Sequence, residues 1–453
     1  MKNIFAGIFL TSFSLAAHAD FFEGLSAYKH QDFKVAQREF AELLPLGNGP
    51  AAFNLAIMTY QGQGEPADAI KATALFALAD ELGEKRAKPL LDKILTALTP
   101  EQIAAVNAKV EQYRQQLQIS ESQRGWEFYT KDPVHEFKIE VQKMVSPVFS
   151  AKAELNGRLG AVNMLSILDT DGSVIFVDGY ETLDRDMFIK GTKSSFQKWQ
   201  FVPMPQKVIY KMSYHFFFEA DDDQLRNSRL ETWKALKQEG LYELASQGSA
   251  QHQFAFGKIL QRLEDSTDVE FYPDESLPLD KPYPDRMIYQ TAKTPQLIDL
   301  IIERGSAVIQ VDENHQIVSE RMRPFEKDPT LVGQKLANAV APGWYQLVYG
   351  NDYEKGTRIN YLVDIKQLPL EHFSYYWISQ AALNGDLTAQ RELAMSRSDW
   401  RNYLAAKDDP KGLLWAAMFA IQNGDDAKAK ELLVKAKAKG ETQADELIAK
   451  IGK

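Results

Sequence analysis

The stretch SILDTDGSVIFVDG, Ser166 to Gly179, decides how the middle of this chain folds. Its Asp169-Thr-Asp171-Gly172 centre admits two readings, the start of a calcium loop or a tight turn between strands. A calcium loop of the EF-hand kind needs oxygen ligands at its first, third and fifth positions, glycine at the sixth and a bidentate Glu at the twelfth. With Asp169 first, Asp171 and Ser173 fit. Val174, however, stands where the glycine must be, and Tyr180 where the acid must be. Asp-Gly between β-rich runs is, by contrast, a strong hairpin signal, because glycine accepts the positive φ of such turns. The stretch therefore reads as a hairpin between a strand over Ala161–Ile167 and a second over Val174–Val177.

Outward from that hairpin, the pattern over Met187–Trp199 predicts a helix and that over Val208–Phe218 a long strand, giving the order strand, strand, helix, strand. Period two places Ile209, Lys211, Ser213, His215 and Phe217 on one face of the last strand. Tyr210, Met212, Tyr214, Phe216 and Phe218 take the other face. Trp199 and Phe201 supply large apolar area that pins the helix to the sheet, and Pro203 ends the segment before the last strand.

Upstream the period is helical. Asp32-Phe33-Lys-Val-Ala36-Gln-Arg-Glu-Phe40 follows a helix that begins near Phe22, with a short polar turn around His30. The motif returns over Ala51–Gly83, where Leu55, Met58 and Tyr60 mark one helix, Gly62 and Gly64 the turn, and Ala69, Ala72, Phe76 and Ala79 the next. Small residues at helix crossings let backbones approach, and each pair leaves an apolar face for the next pair to cover. Glu101–Gln118 reads as a closing helix. Helical hairpins recur around Leu241–Gly257, and again where Trp377–Gly385 and Trp415–Gly424 end apolar helices on glycine.

The whole chain sets bounds on class. At 453 residues it exceeds one ordinary core, so about two to four domains are expected. Its net charge of -10 argues against nucleic acid and against a polybasic membrane patch. Lys2, the apolar run Ile4–Ala17 and Ala17-His18-Ala19 have the form of a cleavable secretory signal over residues 1–19. The expectation is an exported chain beginning at Asp20, with an uncleaved inner-membrane anchor as the alternative. There is no cysteine, which removes thiol catalysis and thiolate metal sites. The seven histidines are scattered singly, with no HExxH, phosphate loop, nucleophile elbow or dinucleotide fingerprint. The acidic run Glu219–Asp223 reads as a solvated linker. The expectation is a protein that is not an enzyme and needs no metal or cofactor.

Two resemblances follow from these motifs. Ala51–Gly83, with Leu55, Tyr60-x-Gly62-x-Gly64 and an Ala-rich second helix, resembles the Sel-one-like branch of the tetratricopeptide repeats. The middle region resembles the C-terminal domain of TonB-family energy transducers. Phe149-Ser-Ala-Lys-Ala153-Glu-Leu-Asn-Gly157-Arg-Leu-Gly160 follows that family's opening Tyr-Pro-x-x-Ala-x-x-x-Gly-x-x-Gly, with Phe for Tyr and Ser for Pro. The Asp-x-Asp-Gly turn comes next. Phe196-Gln-Lys-Trp199-Gln-Phe201-Val-Pro203 then follows its Trp-x-Phe-x-Pro signature. The resemblance covers Pro147–Glu219, about a sixth of the chain.

What the resemblance implies is protein recognition in the envelope. A short segment of an outer-membrane transporter adds as a strand to the sheet edge near the last strand, with Ile209, Lys211, Ser213, His215 and Phe217 as the site residues. Ser14-Leu-Ala-Ala-His18 matches the spacing of a transducer's membrane-helix pair but lies in the cleavable run, and no Pro-rich spacer exists. A further strand, acidic turn and strand occupy Glu303–Pro324, followed by an expected helix over Leu331–Val340, an aromatic close at Trp344–Leu347 and a strand over Arg358–Ile365. This region reads equally as a degenerate second copy or as an unrelated α+β insert.

The expected architecture is α+β and multidomain. It comprises a signal peptide over 1–19, a helical repeat solenoid over 20–119, a TonB-like ββαβ domain over 145–220 and a helical segment over 221–265. An α+β domain over 280–368 and helical hairpins over 369–453 complete it. The leading expectation for function is a non-enzymatic periplasmic protein. It would bind envelope or outer-membrane transport proteins through its sheet and other proteins through its repeats. The alternatives are a membrane-anchored energy transducer and an envelope hydrolase whose site the sequence does not mark.

Overall fold

A computed structural model describes residues 19–119, 137–147, 160–183, 188–216, 240–265, 290–302, 307–322, 331, 333–336, 340–341, 343–348, 357–368 and 374–451. Residues 1–18 of the expected leader, the opening motif over 149–159, the acidic run Glu219–Asp223 and Phe217 lie outside them. The architecture is mixed α and β, with helices and small antiparallel sheets. It divides into two compact units. One is Met1–Leu117 with the segments Gly248–Ala250 and Leu383–Leu387, and the other is Gln118–Gln247 with Gln251–Ala382 and Thr388–Lys453.

The first unit contains helices α1 (Phe21–Lys29), α2 (Phe33–Leu43), α3 (Gly49–Gln61), α4 (Ala69–Glu81), α5 (Ala87–Leu95) and α6 (Pro100–Gln116). Their starts follow local chemistry. The Asp20, Asp32, Asn48 and Asp68 side chains accept from amides of the first turns, and Thr99 with Gln102 closes a capping box. Gly62 and Gly64 carry the left-handed backbone between α3 and α4. Small residues lie at the crossings: Ala36, Ala52, Ala56, Ala72 and Ala79 are fully buried. A Cβ on Gly24 would stand 2.7 Å from the Phe40 ring, so α1 approaches α2 at a distance only glycine permits.

The second unit holds the hairpin. Strands β1 (Val141–Lys143), β2 (Gly160–Leu168) and β3 (Val174–Leu183) are followed by helix α7 (Ile189–Phe196), β4 (Gln200–Phe201) and β5 (Val208–Phe216). β3-β2-β5 is an antiparallel sheet with β2 in the centre, and β1 pairs separately with β4. The expected strand–strand–helix–strand order is present, with β3 running six residues beyond Val177. The hairpin turn closes with Asp169 N donating to Ser173 O at 2.8 Å and Gly172 N to Asp169 O at 3.0 Å. Gly172 has φ +83°, and a Cβ there would meet the Phe201 carbonyl at 2.0 Å. The Phe201 amide in turn donates to Gly172 O at 2.9 Å, which ties β4 to the turn.

Val162, Met164, Leu168, Val177, Phe196, Trp199, Phe201 and Val208 form one buried cluster beneath α7. Trp199 Nε1 donates to Val145 O at 2.9 Å, so this large ring keeps its polar atom satisfied. A Cβ on Gly179 would lie 2.7 Å from Ile189, which shows how closely α7 sits on β3.

Helices α8 (Leu241–Ser246) and α9 (Ala250–Asp265) come next, then a five-stranded antiparallel sheet in the order β6-β10-β9-β7-β8. Its strands are β6 (Gln290–Ile302), β7 (Ala307–Val311), β8 (Ile317–Met322), β9 (Gly343–Val348) and β10 (Thr357–Leu368). The helix expected over Leu331–Val340 does not form among the described residues. Gly333 N donates to Ile317 O and Ile317 N to Gln334 O, and Gln334 N closes a turn on Leu331 O beside the β7–β8 hairpin. Strand β6 lies where no strand was expected.

Six helices follow among the described residues: α10 (Ser374–Leu383), α11 (Leu387–Ala394), α12 (Ser398–Ala406), α13 (Pro410–Gln422), α14 (Asp426–Ala438) and α15 (Ala444–Ile448). Trp377 of α10 joins Ala245, Phe256 and Leu260 in one cluster. Asp409 caps α13 through the Gly412 amide and holds Arg391 through both carboxylate oxygens.

Candidate functional site

Strand β5 is one of the two outer strands of the three-stranded sheet; among the described residues it pairs only with β2, in register from Gly160↔Phe216 to Leu168↔Val208. Both faces of the sheet are covered. Val208, Tyr210, Met212 and Tyr214 lie on the side of α7, where Tyr210 stacks on Phe196 with centroids 5.9 Å apart. Leu165, Ile167, Phe176 and Ile209 are buried on the opposite side.

That opposite side meets the C-terminal helices. Asp178, central in β3, is 1% exposed and lies beside Leu165 in register. Its carboxylate accepts from Lys411 Nζ at 2.8 Å, from Trp415 Nε1 at 2.7 Å and from the Gln443 side chain. Lys411 also reaches Glu441 at 3.3 Å. Burial lowers the Lys411 pKa, but the Asp178 and Glu441 charges outweigh it and hold the ammonium above its ordinary value. Tyr180 meets the Trp415 ring edge-on at 6.1 Å, Lys450 donates to Ile175 O at 2.7 Å, and α13 lies against β5. Lys193 of α7 reaches Gln443 past the β3 edge. The sheet is therefore a middle layer, with α7 on one face and α13–α15 on the other.

This layering resolves the five residues expected to form the binding face. Ile209 is 7% exposed on the side of the C-terminal helices, so its side chain is core rather than contact surface. Lys211 is exposed. Ser213 and His215 continue β5 opposite Asn163 and Ala161, and Phe217 lies outside the described residues. Among the described residues, the edge of β5 away from β2 carries no strand partner. The sequence did carry a signal for the cover that was missed. An aspartate amid the apolar run of β3 needs partners, and a Lys and a Trp four residues apart on one helix face supply them.

The turn that opened the question is chemically self-contained. Asp169 Oδ1 accepts from the Thr170 amide at 2.8 Å and Asp171 Oδ1 from the Ser173 amide at 2.8 Å. Ser173's side chain and amide hold the Asp171 carboxyl below its ordinary pKa. No group of three His, Asp or Glu residues with metal-binding geometry occurs among the described residues, and no described helix is long and apolar enough to cross a membrane. Two other buried charges have structural partners. Arg401 lies 3.5 Å over the Phe419 ring and donates to Ala394 O, with burial pushing its pKa down to about 10. Lys258 pairs with Glu392 at 2.8 Å.

No family model matches the chain, and no curated protein matches it. Among solved structures, it is similar to the C-terminal domain of TonB from Pseudomonas aeruginosa, determined by solution NMR. The identity is 24%, over 20% of this chain and 93% of that one, with a TM-score of 0.17.

Proposed function

We propose that this chain is a non-enzymatic binding protein of the cell envelope, exported by its N-terminal leader, that grips a protein partner by strand addition to β5. The observation that carries this reading is the position of β5, an outer strand paired on one side only among the described residues, in a sheet whose two faces are already packed. A side-on partner then gains affinity through backbone hydrogen bonds and selectivity through alternate side chains. The motif order around the Asp169 turn, with Trp199 and Phe201 as the anchor of α7, supports assigning this sheet to the TonB-like kind. Outer-membrane transport proteins are the partners that this assignment points to.

The test is capture from envelopes with the full chain carrying a photocrosslinking residue at position 211. Recovery of an outer-membrane transport protein, lost when the crosslinker is moved to exposed Lys198, supports the reading. Equal recovery from both positions, or none from either, overturns it. Sequencing the N-terminus of the purified envelope form tests export: a chain beginning at Asp20 is expected, and one retaining residues 1–19 would point to an anchored protein.

A further inference from the structure

Two carboxylates meet at the start of α1. Asp20 caps the helix, its carboxylate accepting from the Phe22 and Glu23 amides at 2.7 and 3.0 Å. Glu39 of α2 is buried and aims at the same place, its Oε2 accepting from the Asp20 backbone nitrogen at 3.0 Å. Its other oxygen meets Arg38 Nη2 at 2.6 Å, on a guanidinium that is itself more than half exposed. Burial raises the Asp20 carboxyl above its ordinary pKa, the two amides pull it down, and the Glu39 charge raises it again. Among the described residues, one guanidinium stands against these two carboxylates, so the α1–α2 junction is one cation short.

The backbone that carries the Asp20 nitrogen is fixed from further along the chain. The Phe21 amide donates to Asn384 O at 3.0 Å, and Asn48 Nδ2 holds the Asn384 side-chain oxygen at 2.7 Å. Gly385, with φ +108°, gives the chain room to pass: a Cβ there would stand 1.7 Å from the Ala19 carbonyl and 3.4 Å from the Asp20 Cα. Phe21 is buried with its ring centroid 5.7 Å from that of Phe40. The contacts of Phe21 with Asn384 and Phe40 do not involve residue 19, so they hold the Asp20 nitrogen on Glu39 whether or not that residue is present.

This nitrogen is the atom that removal of residues 1–19 changes. Hydrolysis of the Ala19–Asp20 bond by a leader peptidase consumes one water: Ala19 leaves as a carboxylate, and the Asp20 amide becomes an ammonium. On the export reading above, we propose that the new α-ammonium of Asp20 is the cation the α1–α2 junction lacks, and that it forms an ion pair with buried Glu39 that only the trimmed chain has. The amide donates to Glu39 without a charge, whereas the ammonium brings a full charge to the same 3.0 Å separation. A cation at a helix N-terminus is disfavoured by the helix dipole, so this one depends on the carboxylates beside it. Trimming thereby fastens α1 to α2.

The test uses the chain from Asp20 to Lys453 with its α-amine free or acetylated, each with Glu39 intact or carrying Glu39→Gln. Acetylation restores the neutral amide that the untrimmed chain has at that nitrogen. With Glu39 intact, urea titration should give the free amine a folding constant about fivefold larger than the acetylated chain. Glu39→Gln should remove that advantage or reverse it, because the α1 dipole then opposes the ammonium. An equal effect of acetylation in both backgrounds overturns the pair. A second readout needs no substitution: at neutral pH an activated ester should acylate the α-amine of the folded chain at least about tenfold more slowly than that of the urea-unfolded chain. Equal rates overturn the proposal. The N-terminal sequence of the envelope form keeps the two readings apart. If it retains residues 1–19 while the trimmed chain shows the coupling, the Glu39 pair stands and the leader reading falls. If it begins at Asp20 and the coupling is absent, the leader reading stands and the pair falls.

Discussion

The Trp415 indole donates to one oxygen of the buried Asp178 carboxylate at 2.7 Å while the Lys411 ammonium meets the other at 2.8 Å. Residues 237 positions apart thereby fasten a helix to the middle of a strand. A carboxylate buried this deeply is tolerated only because each oxygen has a donor and a cation stands beside it.

Replacing Asp178 by alanine leaves Lys411 beside Glu441 alone and strips Trp415 and Gln443 of their acceptor. The expected loss is about 3–5 kcal/mol, the scale of breaking one side of a buried pair. Combining Asp178→Leu with Lys411→Met should not restore stability, because Glu441 then loses its cation. Adding Glu441→Gln to that pair should recover most of it. Urea unfolding of the four proteins measures this series, and an Asp178→Ala loss below about 1 kcal/mol would refute the clamp.

Lys411 gives the clamp a pH dependence with a definite sign. Its folded pKa lies above the ordinary lysine value, so its contribution is complete below about pH 10 and is lost as pH rises through the folded value. Unfolding midpoints followed from neutral into the alkaline range should decline more steeply for the parent than for Lys411→Met. Parallel curves would show that the lysine charge does not stabilise this layer.

Gly172→Ala should be costly for two reasons. The left-handed backbone costs roughly 1–3 kcal/mol for a side chain, and the new Cβ meets the Phe201 carbonyl at 2.0 Å, so β4 must move off the turn. His315→Gly at the β7–β8 turn, where φ is +61°, should change stability by less than about 1 kcal/mol. Relief of the same backbone cost there offsets loss of the His315 Nδ1 contact to Val340 O at 2.9 Å. Thermal unfolding of both variants checks the contrast.

Trp199→Ala removes the largest side chain of the cluster beneath α7 and orphans Val145 O. A loss of about 3–5 kcal/mol is expected, with α7 the first element to gain proteolytic sensitivity. Cleavage beginning elsewhere in the second unit, with α7 still protected, would count against Trp199 as its anchor.

Much of the candidate site was legible because its signals are local. Asp169-Thr-Asp171-Gly172 encodes its own turn through side chains that bond their neighbours' amides and a glycine that takes positive φ. The caps at Asp20, Asp32, Asn48, Asp68 and Thr99 mark helix starts in the same local way. The misreadings came where packing between distant segments decides. Leu331–Val340 has helix-compatible residues, yet Gly333 and Gln334 are drawn into backbone bonds with Ile317 across the second turn. Alternation put Ile209 with Lys211 on a contact face, because period two separates faces but does not say what covers each one.

The sequence by itself determined the hairpin, the order of strands and helix around it, the anchoring aromatics and the starts of the helices, since each depends on residues within a few positions of one another. Only the tertiary structure decided that the second face of the β3-β2-β5 sheet belongs to the chain's own C-terminal helices, through Asp178, Lys411 and Trp415. It also decided that β10 lies between β6 and β9 in the five-stranded sheet. The reason is physical: a carboxylate's donors and a strand's edge partner are found across the folded chain, at separations where local pattern carries no information.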